Sequence, residues 1–255
     1  MLIKTRAIVL RSIKYADQKY IVDFYTEQHG RLACAIKVAT TPGGRLKRQL
    51  FQPLMLLDIE IDWRQREQLC KLVSAQIDTP WTTIATNPVK TTITLFLAEV
   101  LWNATRQEQA DSQLFQFIAT SMQWLDATEQ GMANFHIAFL VQLTRFLGIM
   151  PEAESRRATP TAAGMHTPHT TSPTLFGLRT SEFITQTPLH TDFLRTSDTA
   201  VMQQLLRISY PTMHLFRMSR SERQRCLDVI ISYYRLHLPS FPEPKSLQVM
   251  HEVFD

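Results

Sequence analysis

The chain opens with apolar and polar positions that alternate with a period of two. Ile3, Thr5, Ala7 and Val9 point one way, and Lys4 and Arg6 point the other, the pattern of a half-buried strand. A turn at Ala16-Asp17-Gln18 leads to a second strand, in which Tyr20, Val22, Phe24 and Thr26 alternate with Lys19, Ile21, Asp23 and Tyr25. Gly30 supplies the next turn, where a positive φ is expected. The third strand sets Leu32, Cys34, Ile36 and Val38 against Arg31, Ala33, Ala35 and Lys37. A loop at 39–49 carries Pro42-Gly43-Gly44, and further strands are predicted from Leu54 to Trp63 and from Leu69 to Ile77. Five short antiparallel strands with a mixed-polarity outer face suit an SH3-like barrel or an OB-fold, and the OB-fold is favoured.

Beyond residue 80 the period becomes helical. Asn87-Pro88 is an N-cap followed by proline at the first helical position, opening a helix to about Arg106. Further helices are predicted over Ser112–Leu125 and over Asn134–Leu147, the latter closed by Gly148. Residues 151–174 are rich in Thr, Pro, Ala and His, have no period and read as irregular. A helix follows from Ser197 to Arg207. Ser219-Arg220-Ser221-Glu222 is a capping box opening a helix to His237, and a last helix spans Lys245–Phe254. The expected class is α+β: an N-terminal five-stranded OB-fold barrel at 1–80 and an α-helical bundle at 81–255, with an irregular, cysteine-free insert at about 151–190.

Charge sharpens this picture. Ten lysines and arginines against Asp17, Asp23 and Glu27 leave residues 1–50 at +7, whereas the chain of 255 residues carries +4. A basic β-module on a neutral-to-acidic remainder is the footprint of a phosphate-backbone binder. The competing view is that these side chains simply solvate a barrel face. Arg217, Arg220, Arg223 and Arg225 form a second basic group. Cys34, Cys70 and Cys226 are few and scattered, which points to a reducing, cytoplasmic setting. The N-terminus does not read as a secretory signal, and no apolar run is long enough for a bilayer.

Candidate chemistry is sparse. His166 and His169, with Glu152 and Glu154 upstream, read as a polar loop rather than a zinc site, which normally takes four ligands. No nucleophile elbow, Walker or Rossmann motif is complete. Glu99 interrupts an apolar helix face, and pairing with an arginine or a helix N-terminus is the favoured reading. Phe115, Phe117, Trp124, Phe135 and Phe139 fall at core spacing. No catalytic residue, metal or cofactor is assigned.

The opening TRAIVLRSIKYADQKYIVDFYTEQHGR at 5–31 resembles the RecO family of bacterial recombination mediators. So do the 40–49 loop running into FQPLMLLDIEI, LFLAEVL at 95–101, LTRFLGIMP at 143–151, LFGLRTSEF…PLH at 175–190 and YYRLHLPSF…KSLQVMHEVF near the end. The resemblance implies an OB-fold, a helical bundle and, in many members, four zinc-binding cysteines in an inserted region. Between Gly148 and Phe176 this chain has no cysteine.

It further implies binding of single- and double-stranded DNA, annealing of complementary strands, and action with RecR in loading RecA onto DNA coated by single-stranded-DNA-binding protein (SSB), whose acidic tail is recognised. The implied location is cytoplasmic and nucleoid-associated. The DNA contacts carry over to Lys4, Arg6, Arg11, Lys14, Arg31, Lys37, Arg45, Lys47 and Arg48, the residues the charge argument selects. Tyr15, Tyr25 and Phe51 are the candidate stacking aromatics. Lys90, Arg106 and Arg145 are exposed-face candidates for holding the SSB tail. The alternative reading is an RNA- or tRNA-binding OB-fold protein. Elemental analysis of protein purified without chelator is expected to find no stoichiometric zinc; about one zinc per chain, lost on mutating His166 and His169, would contradict this.

Overall fold

The computed structural model describes residues 1–39, 46–63, 69–106, 109–129, 132–151, 175–184 and 186–253. The chain divides into two compact units, residues 1–132 with 244–255, and residues 133–243. The boundary expected at 80/81 therefore lies inside the first unit. The 151–174 segment falls, from residue 152 on, outside the described residues, as do His166 and His169.

In the first unit β1 (Leu2–Ala16), β2 (Lys19–Thr26), β3 (Gly30–Lys37), β4 (Leu56–Asp62) and β5 (Cys70–Thr79) close into a barrel of order β1-β2-β3-β5-β4. Only the β3–β5 pairing is parallel. This is the expected OB-type barrel. Its strands carry the predicted faces: Ile3, Ala7, Val9, Tyr20, Val22, Phe24, Cys34, Ile36, Leu57, Ile59 and Ile61 fill the interior. Gly30 has φ 65, the left-handed conformation expected of that turn. β4 starts two residues later than predicted, because Leu54 at φ 57 bends the chain out of the strand. Its N–H instead donates to the Val9 carbonyl at 2.7 Å.

β1 is unusually long. Its first half pairs with β4 and its second with β2, with a register shift at Val9/Arg11. Between Ala7 and Leu10 it is buried on both faces. Ala7 and Val9 face the barrel, and Ile8 and Leu10 lie outside that cluster. The helix α1 (Pro88–Ala104) packs on β1, with Trp102 against Arg11. Asn87 caps it as predicted, its Oδ1 accepting from the N–H groups of Val89 and Lys90.

α2 (Ser112–Ala127) follows, capped by Asp111. Glu99 answers the question its sequence position raised. It accepts from the backbone N–H groups of Lys245 and Ser246 at 2.8 and 2.9 Å, at the start of the short helix Leu247–Glu252. It therefore holds the last segment of the chain on the first unit.

The second unit holds α3 (Phe135–Phe146), a small antiparallel sheet of β6 (Leu175–Gly177), β7 (Glu182–Ile184) and β8 (Phe193–Leu194), then α4 (Thr196–Leu205) and α5 (Arg220–His237). Leu247–Glu252 of the first unit completes the count as α6. The sheet lies where an irregular insert was expected, since strands of two or three residues carry no readable alternation. The predicted capping box is present: Ser219 Oγ accepts from the Glu222 N–H, and the Glu222 carboxylate accepts from the Ser219 N–H at 2.7 Å. Within this unit the buried Tyr234 donates to the Leu140 carbonyl at 2.7 Å, tying α5 to α3.

One buried polar cluster braces the approach to α1. Asp126, at the end of α2, accepts from the backbone N–H groups of Thr82, Thr83 and Ile84 at 2.9, 2.8 and 2.8 Å. Three successive N–H groups form an anion-binding nest. Lys90 is not the exposed cation the sequence suggested. It is 2 % exposed and donates to Thr83 Oγ1 and the Asp126 carbonyl. Burial alone would raise the Asp126 pKa, but the hydrogen bonds outweigh it and hold it at about 2.

A carboxylate so depressed contributes stability that is full above its unfolded pKa, near 4, and is lost as pH falls through about 2. Asp126→Asn is therefore expected to lower stability at neutral pH by about 2 kcal/mol and to flatten the acid limb of the stability curve. Denaturant unfolding of both proteins across that limb checks it; parallel acid limbs would contradict it.

Candidate nucleic-acid interface

The nine basic residues selected from the sequence do not share one environment. Lys4 and Arg6 sit on the outer face of β1, directly opposite Glu60 and Asp58 of β4. Together with Glu27 they line an open cleft of about 510 Å³ in which three carboxylates face two cations. Arg6 pairs with Asp78 at 3.2 Å and Glu27 at 3.8 Å, and its guanidinium rests over Phe115. This face is mixed in sign rather than basic.

Arg31 is also engaged within the fold. It donates to the Trp102 carbonyl at 2.8 Å and pairs with Asp23 at 3.7 Å. That carbonyl is among the last four of α1, which have no intrahelical partner, so the guanidinium satisfies a helix C-terminus. Burial lowers the Arg31 pKa, Asp23 raises it, and the neighbouring Arg106 and Arg11 lower it further. Its role is to anchor α1 to the barrel.

A predominantly basic region forms at the other end of β1, with Lys19 and Lys37 on one face of the sheet and Lys14 on the other. Lys19 and Lys37 are directly opposed across β2 and β3, and both are exposed. Lys14 is opposed to Tyr20, and Arg48 has its guanidinium over the same Tyr20 ring at 5.9 Å. The N–H of Ala39 donates to the Leu46 carbonyl, which places Lys47 beside the end of β3. Among the described residues the one acidic partner here is Asp17, fully exposed and 3.6 Å from Lys14. Lys19 belongs to this group although no site role was given to it. Register was the missing signal, since only the β2–β3 pairing reveals its neighbour. Arg45 lies outside the described residues.

The stacking aromatics separate clearly. Tyr25 and Phe51 are buried, at 0 % and 3 % exposure, and are core residues rather than stacking platforms. Tyr15 is 53 % exposed on β1 beside Lys14, with Ile13 also exposed. Arg11 is exposed over the Trp102 ring. The second basic group is broken up: Arg223 donates to the Met218 carbonyl, and Arg225 pairs with Asp198. Arg106 and Arg145 are exposed as expected. Among the described residues no helix is long and apolar enough to cross a membrane.

The barrel is of the OB type, a fold whose sheet face and loops hold oligonucleotides or oligosaccharides in other proteins, and comparison with known proteins narrows the class. The family model described as recombination protein O N terminal matches residues 1–80, and that described as recombination protein O C terminal matches residues 85–247. A DNA repair protein RecO of Bacteroides fragilis is 40% identical over 256 aligned positions, covering 100% of both chains. Those of Phocaeicola vulgatus and Porphyromonas gingivalis are 38% and 32% identical, again over 100% of both chains. The chain belongs to the RecO family.

Like charges directly opposed across strands destabilise a sheet by about 0.2–1 kcal/mol. Lys37→Ala is therefore expected to raise the melting temperature slightly at low salt, with the gain shrinking as salt is added. Arg31→Ala is expected to cost about 1–3 kcal/mol, because the Trp102 carbonyl and Asp23 lose a buried charged donor. Thermal melts at two ionic strengths check both; a destabilising Lys37→Ala would contradict the repulsion argument.

Proposed function

We propose that this chain is a non-enzymatic, cytoplasmic recombinational-repair protein that binds single- and double-stranded DNA and anneals complementary strands. With RecR it helps load RecA onto SSB-coated single strands. The observation that carries this reading is the concentration of Lys14, Lys19, Lys37, Lys47 and Arg48 at one end of an OB-type barrel, with Asp17 the one exposed carboxylate among the described residues there, in a chain of the RecO family. Residues 1–80 serve as the DNA-binding domain.

Annealing requires two polyanions to approach. A basic surface lowers their repulsion and gains from counterion release. Contacts to the backbone carry no base sequence, which suits a protein acting anywhere on a chromosome. Tyr15 offers one exposed ring for a base. Lys4 and Arg6 contribute less than their charge suggests, because their carboxylate neighbours already neutralise them. The acidic SSB tail docks on the helical region; Arg145 is available to it and the buried Lys90 is not.

Annealing of labelled oligonucleotides in chelator, without nucleotide, tests the reading. Wild-type protein is expected to accelerate it, steeply less as salt rises. Glutamate at Lys19 and Lys37 is expected to abolish most of the acceleration, and glutamate at Lys4 to change it little. No acceleration at low salt, or acceleration only with ATP, overturns the proposal. A Lys4 variant more impaired than the Lys19/Lys37 variant moves the DNA face to the other side of the barrel.

A further inference from the structure

The end of α1 carries a cationic cluster that no single stretch of sequence displays. Three guanidiniums surround the Trp102 indole. Arg11 of β1, Arg106 just beyond α1 and Arg31 of β3 have their central carbons 4.4, 4.7 and 4.9 Å from its ring centroid. One carboxylate lies in the cluster: Asp23, directly opposite Arg11 across β1 and β2, accepts from Trp102 Nε1 at 2.6 Å and faces Arg31 at 3.7 Å. Arg106 donates to the Asn103 side chain at 2.8 Å. Among the described residues no carboxylate pairs with Arg11 or Arg106, and both are exposed.

Such an arrangement stores repulsion. Among the described residues, three positive charges against one negative leave a net charge of about +2 around a single ring. Stacking on the indole offsets part of the cost. It also holds each guanidinium within 4.9 Å of the ring centroid, while the N–H donors lie in the guanidinium's own plane. Planar forks match the paired oxygens of a phosphate, which lysine cannot do bidentately.

We propose that Arg11 and Arg106, oriented by Trp102 and backed by Arg31, form a binding site for a backbone phosphate of nucleic acid. Arg11 and Arg106 make the direct contacts; Arg31 and Trp102 are positioning residues. The phosphate belongs to a polymer because the site continues into the basic barrel end. Arg11 and Ile13 share a face of the sheet with Ile21 and Lys19 of β2 and with Lys37 of β3, so the lysine pair lies about 13 Å further along that face, with the exposed Tyr15 alongside. One strand of nucleic acid laid on the barrel end thus reaches the end of α1. This assignment rests on the DNA-binding reading above and extends the path of the DNA beyond the barrel, to a residue from the helical part of the chain.

The test is binding of a labelled single-stranded oligonucleotide over a salt series, measured by anisotropy on the full chain. Proteins compared are wild type, Arg11→Ala/Arg106→Ala and Arg11→Lys/Arg106→Lys, each with a thermal melt. The alanine pair is expected to bind about tenfold more weakly and to lose about 0.7 of log–log salt slope per arginine. The lysine pair is expected to keep the slope while losing part of the affinity, since its charges remain and its forks do not. Should the alanine pair fail to fold, that split between slope and affinity in the lysine pair still decides the matter.

If wild type binds DNA and both variants bind identically, the site is overturned and the DNA reading stands. If wild type itself does not bind, the DNA reading falls and takes this site with it. Two further results overturn the polymer assignment: inorganic phosphate displacing the oligonucleotide as effectively as competitor DNA does, or the alanine pair losing affinity for polyglutamate while keeping it for DNA. The first makes the site one for a free anion, the second one for an acidic protein segment.

Discussion

The structure depends on the burial of β1 from both sides. At Ala7–Leu10 alternate residues serve two purposes: Ala7 and Val9 close the barrel interior, and Ile8 and Leu10 are buried outside it, on the strand against which α1 packs. A strand with one wet face can slip or twist at modest cost, but a one-residue slip here would misplace both sets at once. The register of β1 against β4 and β2 is therefore strongly specified. Through α1 it fixes the Trp102 ring, and through the second half of β1 it fixes the basic hairpin end.

Electrostatics then divides the barrel surface. The same strand that carries Lys4 and Arg6 beside Glu60 and Asp58 also carries Arg11 and Lys14, which meet a ring and a turn instead of a row of acids. A count of charge along 1–50 averages over this difference. What decides local potential is the partner strand, and β4 supplies Asp58, Glu60 and Asp62 to one end of the barrel only. Counterions and polyanions respond to that local potential, within a Debye length of about 8–10 Å.

The barrel was legible in the sequence because strand alternation and the Gly30 turn are local signals, and so were the caps at Asn87 and Ser219. The fate of Glu99 was legible in outline, since a carboxylate on an apolar helix face has few stable partners other than an arginine or a helix start. Lys90 was misjudged for the opposite reason: its partners, Thr83 and the Asp126 carbonyl, come from chain segments whose proximity no local pattern announces. Tyr25 and Phe51 failed as stacking candidates likewise. Tyr25 sits on the outward set of β2 and is covered all the same. The clustering around Trp102 was invisible because Arg11, Arg31 and Arg106 are joined by tertiary contact rather than spacing.

Glu99 also sets the topology of the chain. By seating Lys245 and Ser246, it returns residues 244–255 to the unit formed by 1–132, so residues 133–243 are an insertion with both ends in that unit. Docking of the return segment is then an intramolecular association at an effective concentration set by the inserted chain. A single backbone cut anywhere in 133–243 would make it bimolecular in the covalent sense. The segment would then stay in place only to the extent that contacts between the fragments, rather than the peptide chain, keep it near Glu99.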